Sequence, residues 1–93
     1  MYARLVRFSF GPGKHAEAQS IADNIAPLIA SQPGCQSVTV FGDGTDGEYG
    51  IFVLWESEEN ANAAAQVVRP RLDEHFAGNV QGTPDARLFK VLS

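Results

Sequence analysis

The sequence lacks the features that would tie it to nucleic acid or to a membrane. Its seven Lys and Arg residues are outnumbered by eleven Asp and Glu, and they are scattered along the chain. Nucleic-acid and anionic membrane surfaces are recognised by clusters of basic residues, so we expect neither partner. No apolar run approaches the roughly 20 residues that a helix needs to span a bilayer.

Cysteine is almost absent, since Cys35 is the only one in the chain. An intrachain disulfide is therefore excluded, and no set of His, Cys, Asp or Glu has the spacing of a metal site. A lone thiol is typical of a reducing compartment. The first residues also lack the charged segment and long apolar core of a secretory signal. We therefore expect a cytoplasmic protein without a metal.

The composition is that of a folded globular chain. Of the 93 residues, 44% are hydrophobic and 19% are charged, which excludes a disordered chain. The length allows one hydrophobic core and no more. We therefore predict a single domain over residues 1–93.

Hydrophobic periodicity predicts four strands and two helices. Alternating and β-branched residues predict strands over 2–10, 35–41, 48–55 and 86–92. Helical spacing predicts a helix from Lys14 to about Gln32 and a second one that Ser57 caps at its N-terminus. Pro27 should kink the first helix, and Pro70 should kink or split the second.

This order predicts an α+β protein of the ferredoxin-like βαββαβ class. Its four-stranded antiparallel sheet would have the first and third strands at the centre and both helices on one face. The third strand, EYGIFVLW, is apolar on both sides. Because two helices cover only one face, we expect a second copy to cover the other face and form a homodimer.

The segment ADNIAPLIASQPGCQSVTVF, followed by an apolar strand that ends in LWESEENANAAA, resembles the antibiotic biosynthesis monooxygenase (ABM) domain. Resemblance to this family of the dimeric α+β barrel superfamily implies a dimer with a ligand pocket between each sheet and its own helices. It also implies a hydrophobic, aromatic small molecule as ligand and oxygenation of that molecule without a cofactor.

Departures from the family pattern keep two other functions open. ABM-like sequences often carry a histidine about nine residues after the tryptophan, and here that position holds Ala64. No asparagine falls on a predicted strand, although the polyketide oxygenases of the family use one. The first alternative is a non-catalytic dimer that binds a ligand or acts in a stress response. The second is haem binding or degradation, for which only His75 matches a residue of the haem-degrading relatives.

Trp55 and Arg4 are the first two candidates for a catalytic role. The indole of Trp55 is suited to stack on a flat aromatic ligand, and the alternative is an anchor at the end of its strand. Arg4 shares a strand face with apolar side chains. It therefore needs a partner, which is either a negative charge on the ligand or a nearby glutamate.

His75 is the third catalytic candidate. It follows Val68 by two helical turns, on the apolar stripe of the second helix if Pro70 does not rotate the register. An imidazole there can act as a base near neutral pH, and the alternative is a structural histidine. The substrate-binding residues that we expect beside these three are Val6, Phe8, Ala64, Val68 and Leu72.

Overall fold

The computed structural model describes all 93 residues and contains four strands and two helices. In chain order these are β1 (Tyr2–Ser9), α1 (His15–Ala30), β2 (Cys35–Asp43), β3 (Glu48–Trp55), α2 (Glu58–Phe76) and β4 (Gln81–Lys90). The order and the antiparallel pairing of the strands confirm the predicted ferredoxin-like class.

The sheet has the strand order β2-β3-β1-β4, so β3 and β1 are the central strands, as predicted. All pairs are antiparallel. Along the central pair, Arg4 lies opposite Val53 and Val6 lies opposite Ile51. Because side chains alternate between the faces of a strand, these four residues share the face on which the helices pack.

Both helices cover that one face and form the core with it. α1 buries residues three and four positions apart, which is the spacing of one helix face. α2 begins as predicted at Ser57, whose hydroxyl accepts a hydrogen bond from the Asn60 backbone N–H at 3.1 Å. The buried stripes are Ala18, Ile21, Ile25 and Ile29 on α1, and Ala61, Ala64, Val68, Leu72 and Phe76 on α2.

An aromatic cluster closes one end of the core. The ring of Phe8 lies 4.8 Å from that of Phe76 and 5.1 Å from that of Phe10, measured between centroids. Tyr49 packs against both Phe8 and Phe10. Such pairs add about 0.5–1.5 kcal/mol each beyond the burial of their area. The cluster therefore holds the C-terminal end of α2 on the sheet.

The predicted bounds of the fourth strand were wrong. β4 begins at Gln81 rather than Ala86, and it ends at Lys90 rather than Leu92. The early part contains Gly82, with a φ of 70°, and Pro84, residues that are typical of a loop. An edge strand tolerates both, and the register with β1 shifts between Arg7 and Ser9 to absorb the irregularity.

Pro70 does not split the second helix, because α2 is continuous from Glu58 to Phe76. The proline is exposed. Its ring removes one helical hydrogen bond, and water can solvate the carbonyl that loses its donor at such a position. Pro27 likewise lies within a continuous α1.

The face of the sheet opposite the helices, which we call the open face, carries large apolar side chains. Among them Phe41, Phe52 and Phe89 are 44%, 37% and 39% exposed. Leu5 lies opposite Phe52 within the same face. Arg87 also belongs to it, with its guanidinium carbon 4.8 Å from the centre of the Phe89 ring. Neither helix combines the length and hydropathy required to cross a bilayer.

Candidate functional site

A cavity of about 250 Å³ lies between α2 and the sheet. Its floor consists of side chains from β1 and β3, its roof is α2, and one side is formed by the early part of β4. It extends inward as far as Ile29 of α1. This volume lies just below the roughly 300–1,000 Å³ of small-molecule sites in proteins, so the cavity suits a compact ligand of two or three fused rings.

The inner part of the cavity is apolar. Ile51, Val53 and Trp55 of β3 are at most 3% exposed and line it from below. Ala61, Ala64 and Ala65 line it from above. The cavity exists because these α2 residues carry only a methyl group where larger side chains would reach the sheet.

The mouth of the cavity is polar and lies between α2 and β4. Arg69, Asp73 and Thr83 line it and are exposed to solvent. Arg4 extends from β1 towards α2, where its Nη2 donates a hydrogen bond to Asn62 Oδ1 at 3.3 Å. Burial and the neighbouring Arg69 cation lower the pKa of Arg4. The site therefore has a hydrophobic interior and a positively charged edge.

Six of the predicted residues lie together in this cavity. Arg4 and Trp55 from the catalytic set line it, and so do four of the expected binding residues: Val6, Ala64, Val68 and Leu72. The central pairing of β1 with β3 places Arg4 two residue rows from Trp55. The α2 residues that line the cavity recur every three or four positions, so they lie on one face of the helix above Arg4 and Trp55.

His75 and Phe8 do not line the cavity. His75 precedes Phe76, the stripe residue, by one position and is therefore rotated by about 100° around the helix axis. Its backbone carbonyl accepts a hydrogen bond from Asn79 Nδ2 at 2.9 Å. Phe8 is 5% exposed and packs in the aromatic cluster beyond the end of the cavity.

Two charged residues of the site were not anticipated from the sequence. Arg69 and Asp73 both line the mouth, and neither was among the predicted site residues. The signal that could have revealed them is their spacing, because Asn62, Ala65, Arg69 and Asp73 recur at intervals of three and four. This spacing places them along one edge of α2, beside the apolar stripe.

Trp55 serves as both an anchor and a wall of the cavity. Its side chain is 3% exposed and belongs to the core, while part of the indole borders the cavity.

Cys35 packs against the same core. Burial raises the pKa of the Cys35 thiol, so the thiol stays protonated near neutral pH and is not an activated nucleophile. No three His, Cys, Asp or Glu residues are grouped so as to hold a metal ion.

Comparison with protein families gives one match. The model of the family described as antibiotic biosynthesis monooxygenase matches residues 1–76. The chain belongs to this family. The matched ABM region runs from β1 to the end of α2 and includes the floor and the roof of the cavity. The β4 residues Thr83, Pro84 and Ala86, which form one side of the mouth, lie outside it.

Solved structures of similar fold include two oxygenases. SnoaB, a cofactor-independent oxygenase from Streptomyces nogalater, has a TM-score of 0.75 at 22% identity, covering 99% of this chain and 93% of SnoaB. A monooxygenase from the ActVA-Orf6 gene of Streptomyces coelicolor, in complex with nanaomycin D, has a TM-score of 0.77 at 21% identity, covering 99% and 88%.

A third similar structure is NE2512, a protein of unknown function from Nitrosomonas europaea. It has a TM-score of 0.84 at 19% identity, covering 99% of this chain and 89% of that one. No curated protein sequence matches the chain. Identities this low show a shared fold.

Proposed function

We propose that this ABM-family chain binds a flat, hydrophobic aromatic molecule in the α2 cavity and oxygenates it without a cofactor. The cavity itself carries the proposal, because an apolar chamber with a cationic mouth suits an electron-rich ring that becomes an anion. SnoaB, a cofactor-independent oxygenase, supports it as a protein of the same fold.

The chemistry requires a substrate that supplies its own electrons. An anthrone-type methylene loses a proton to give an enolate, and the enolate transfers electrons to dioxygen. Oxygen adds at that carbon as a hydroperoxide, and loss of one water leaves a carbonyl. The methylene and dioxygen thus give a carbonyl and water. Trp55 would form the wall against which the rings stack, and Arg4 would face the negative charge of the ligand.

A non-catalytic binding protein is the second candidate. The observation that favours it is the lack of an imidazole among the lining residues, where Asp73 at the mouth is the one carboxylate. His75, on which the haem alternative depends, also lies outside the lining. Titration with haemin tests that alternative directly, because a histidine ligand would shift the Soret band.

Oxygen consumption with an anthrone substrate tests the catalytic proposal. We expect equal amounts of oxygen consumed and quinone formed, without added metal or flavin. Arg4→Gln should lower kcat/KM by about tenfold, a loss of about 1.4 kcal/mol of transition-state stabilisation.

His75→Ala is the matched comparison for this test. It should stay within about twofold of the original kcat/KM, because the side chain is outside the cavity. Absence of oxygen uptake, with the substrate bound, would leave the non-catalytic candidate in place. A large loss in His75→Ala would restore the histidine as the base.

We also propose that two copies of the chain pair through their open faces. Monomeric proteins rarely expose a contiguous apolar patch such as that of Leu5, Phe52 and Phe89. The same face carries Arg7 opposite Asp85 and, nearby, Arg87. In a two-fold pairing each contact between residues of the two copies occurs twice, so a face that carries charges of both signs can be complementary to itself.

Phe52→Asp should produce a monomer, because a carboxylate at the centre of the open face would be buried unpaired in the dimer. Sedimentation at micromolar concentration measures the change from about 20 to 10 kDa, twice and once the chain mass of 10.0 kDa. Val67→Asp is the control. Val67 is also exposed, at 48%, but lies on α2 and should not affect the dimer. A monomeric original chain would contradict the pairing.

A further inference from the structure

We propose that Arg4 and Arg69 form an anion site at the mouth of the cavity and that the ligand is an aromatic acid. The acid group, a carboxylate or a group of similar charge, would lie at the mouth while the rings occupy the interior. This inference rests on the proposed function only in that both take the cavity as the ligand site.

The two guanidinium groups have unused hydrogen-bonding capacity. Arg4 makes one side-chain hydrogen bond, to the amide oxygen of Asn62. Its remaining N–H donors, and all those of Arg69, have no acceptor within the protein. A guanidinium has five N–H donors in a planar arrangement that matches the two oxygens of a carboxylate. Two such groups at one opening are therefore equipped to bind an acid.

Neither arginine at the mouth is ion-paired. No carboxylate forms an ion pair with either arginine, although a half-buried cation on an apolar sheet face requires a partner. Arg69 instead places a second positive charge near Arg4, and burial, together with this repulsion, lowers the pKa of Arg4. An anion between them would offset this repulsion and supply the partner that the half-buried Arg4 lacks. Arg4 is thus left without the glutamate that we considered from the sequence.

The cavity has an apolar inner end and a positively charged outer end, and the ligand must match both. The interior is lined by Ile51, Trp55 and Ala61, each at most 3% exposed, and offers no charge. The cations lie only at the solvent edge. A neutral ring would leave them unpaired, and a small inorganic anion would leave the apolar interior empty. An aromatic ring with one acid substituent satisfies both ends.

The carboxylate of Asp73 lies at the side of the mouth where we do not expect the acid group of the ligand to bind. Asp73 follows Arg69 by one helical turn, on the far side from Asn62 and Arg4. Its carboxylate would repel an acid placed there. The acid should therefore lie between Arg4, Asn62 and Arg69. Removing the charge in Asp73→Asn should strengthen the binding of an acid by about two- to threefold and leave a neutral ring unaffected.

Fluorescence titration with naphthoate and naphthamide tests the inference, because the two ligands have the same rings and differ in charge. The original chain should bind naphthoate at least about tenfold more tightly than naphthamide. Raising the salt concentration should reduce this difference and leave the affinity for naphthamide nearly constant.

Arg69→Gln provides the decisive variant, because Arg69 is exposed and its loss should not affect folding. The preference for naphthoate should fall to about threefold or less, without a change in naphthamide affinity. Arg71→Gln is the matched control: it removes the same charge two residues away, from an exposed side chain outside the cavity. It should keep the full preference.

Each outcome has a distinct meaning. Equal binding of the two ligands, or an equal effect of the two arginine variants, would overturn the anion site while leaving the aromatic pocket standing. Failure of both ligands to bind would overturn the inference together with the ligand pocket. Oxygen consumption is measured separately, so loss of the oxygenase proposal alone would not affect this result.

Discussion

Ala64→Phe is expected to abolish ligand binding. Ala64 is 3% exposed and faces the cavity from α2, so a phenyl ring at this position would occupy the space proposed for the ligand. We expect naphthamide and naphthoate to bind about 100-fold more weakly, a loss of about 2.7 kcal/mol. The same fluorescence titration measures it.

The stability of this variant should change little. Large side chains forced into a packed core cost about 1–3 kcal/mol, but here an existing void receives the ring. Ala63→Phe is the control, because Ala63 is the neighbouring residue on α2, is exposed and does not line the cavity. It should bind both ligands normally. A folded Ala64→Phe variant with full affinity would show that the ligand binds elsewhere.

Gly47→Ala is expected to destabilise the fold strongly. Gly47 has a φ of 79°, its N–H donates to the Asp43 carbonyl at 2.8 Å, and its carbonyl accepts from Phe10 N–H at 2.9 Å. An added Cβ would overlap the backbone of Gly11, which cannot move away as a flexible side chain could. We expect a loss of about 3 kcal/mol or more in the free energy of unfolding.

The melting temperature should fall by about 12–24 °C for such a loss in a chain of this size. Gly13→Ala separates the two causes. Gly13 has a φ of 84°, but an added Cβ would meet no atom within 4 Å. Its substitution should cost only the backbone strain, about 1–2 kcal/mol. Equal losses in the two variants would show that contact with Gly11 contributes nothing.

The order and type of the elements could be predicted because each depends on a local pattern. Alternation in YARLVRFSF and spacing of three and four in α1 are present in the sequence itself. The predictions of element bounds and helix breaks were wrong where packing against a neighbouring element outweighed the local preference of a residue. Gly82 and Pro84 favour a loop, yet pairing with β1 makes them part of an edge strand. Pro70 favours a break, but packing of the stripe on both sides keeps α2 continuous.

The candidate site was only partly predictable, for a related reason. Arg4, Trp55 and Ala64 each showed an unusual residue type for their position, so they could be selected one at a time. In the sequence, Arg69 cannot be distinguished from other exposed arginines. Only the packing of α2 on β1 brings it near Arg4. His75 was misplaced because a one-residue difference on a helix turns a side chain by about 100°.

The sequence by itself determined the class of the fold, the central strands and the apolar surfaces, because hydrophobic periodicity records which side of each element avoids water. The tertiary structure alone decided that α2 stays far enough from the sheet to leave a cavity and that two arginines share its mouth. The distance between two elements depends on how side chains from separate segments pack against each other. That packing cannot be predicted from a local sequence pattern.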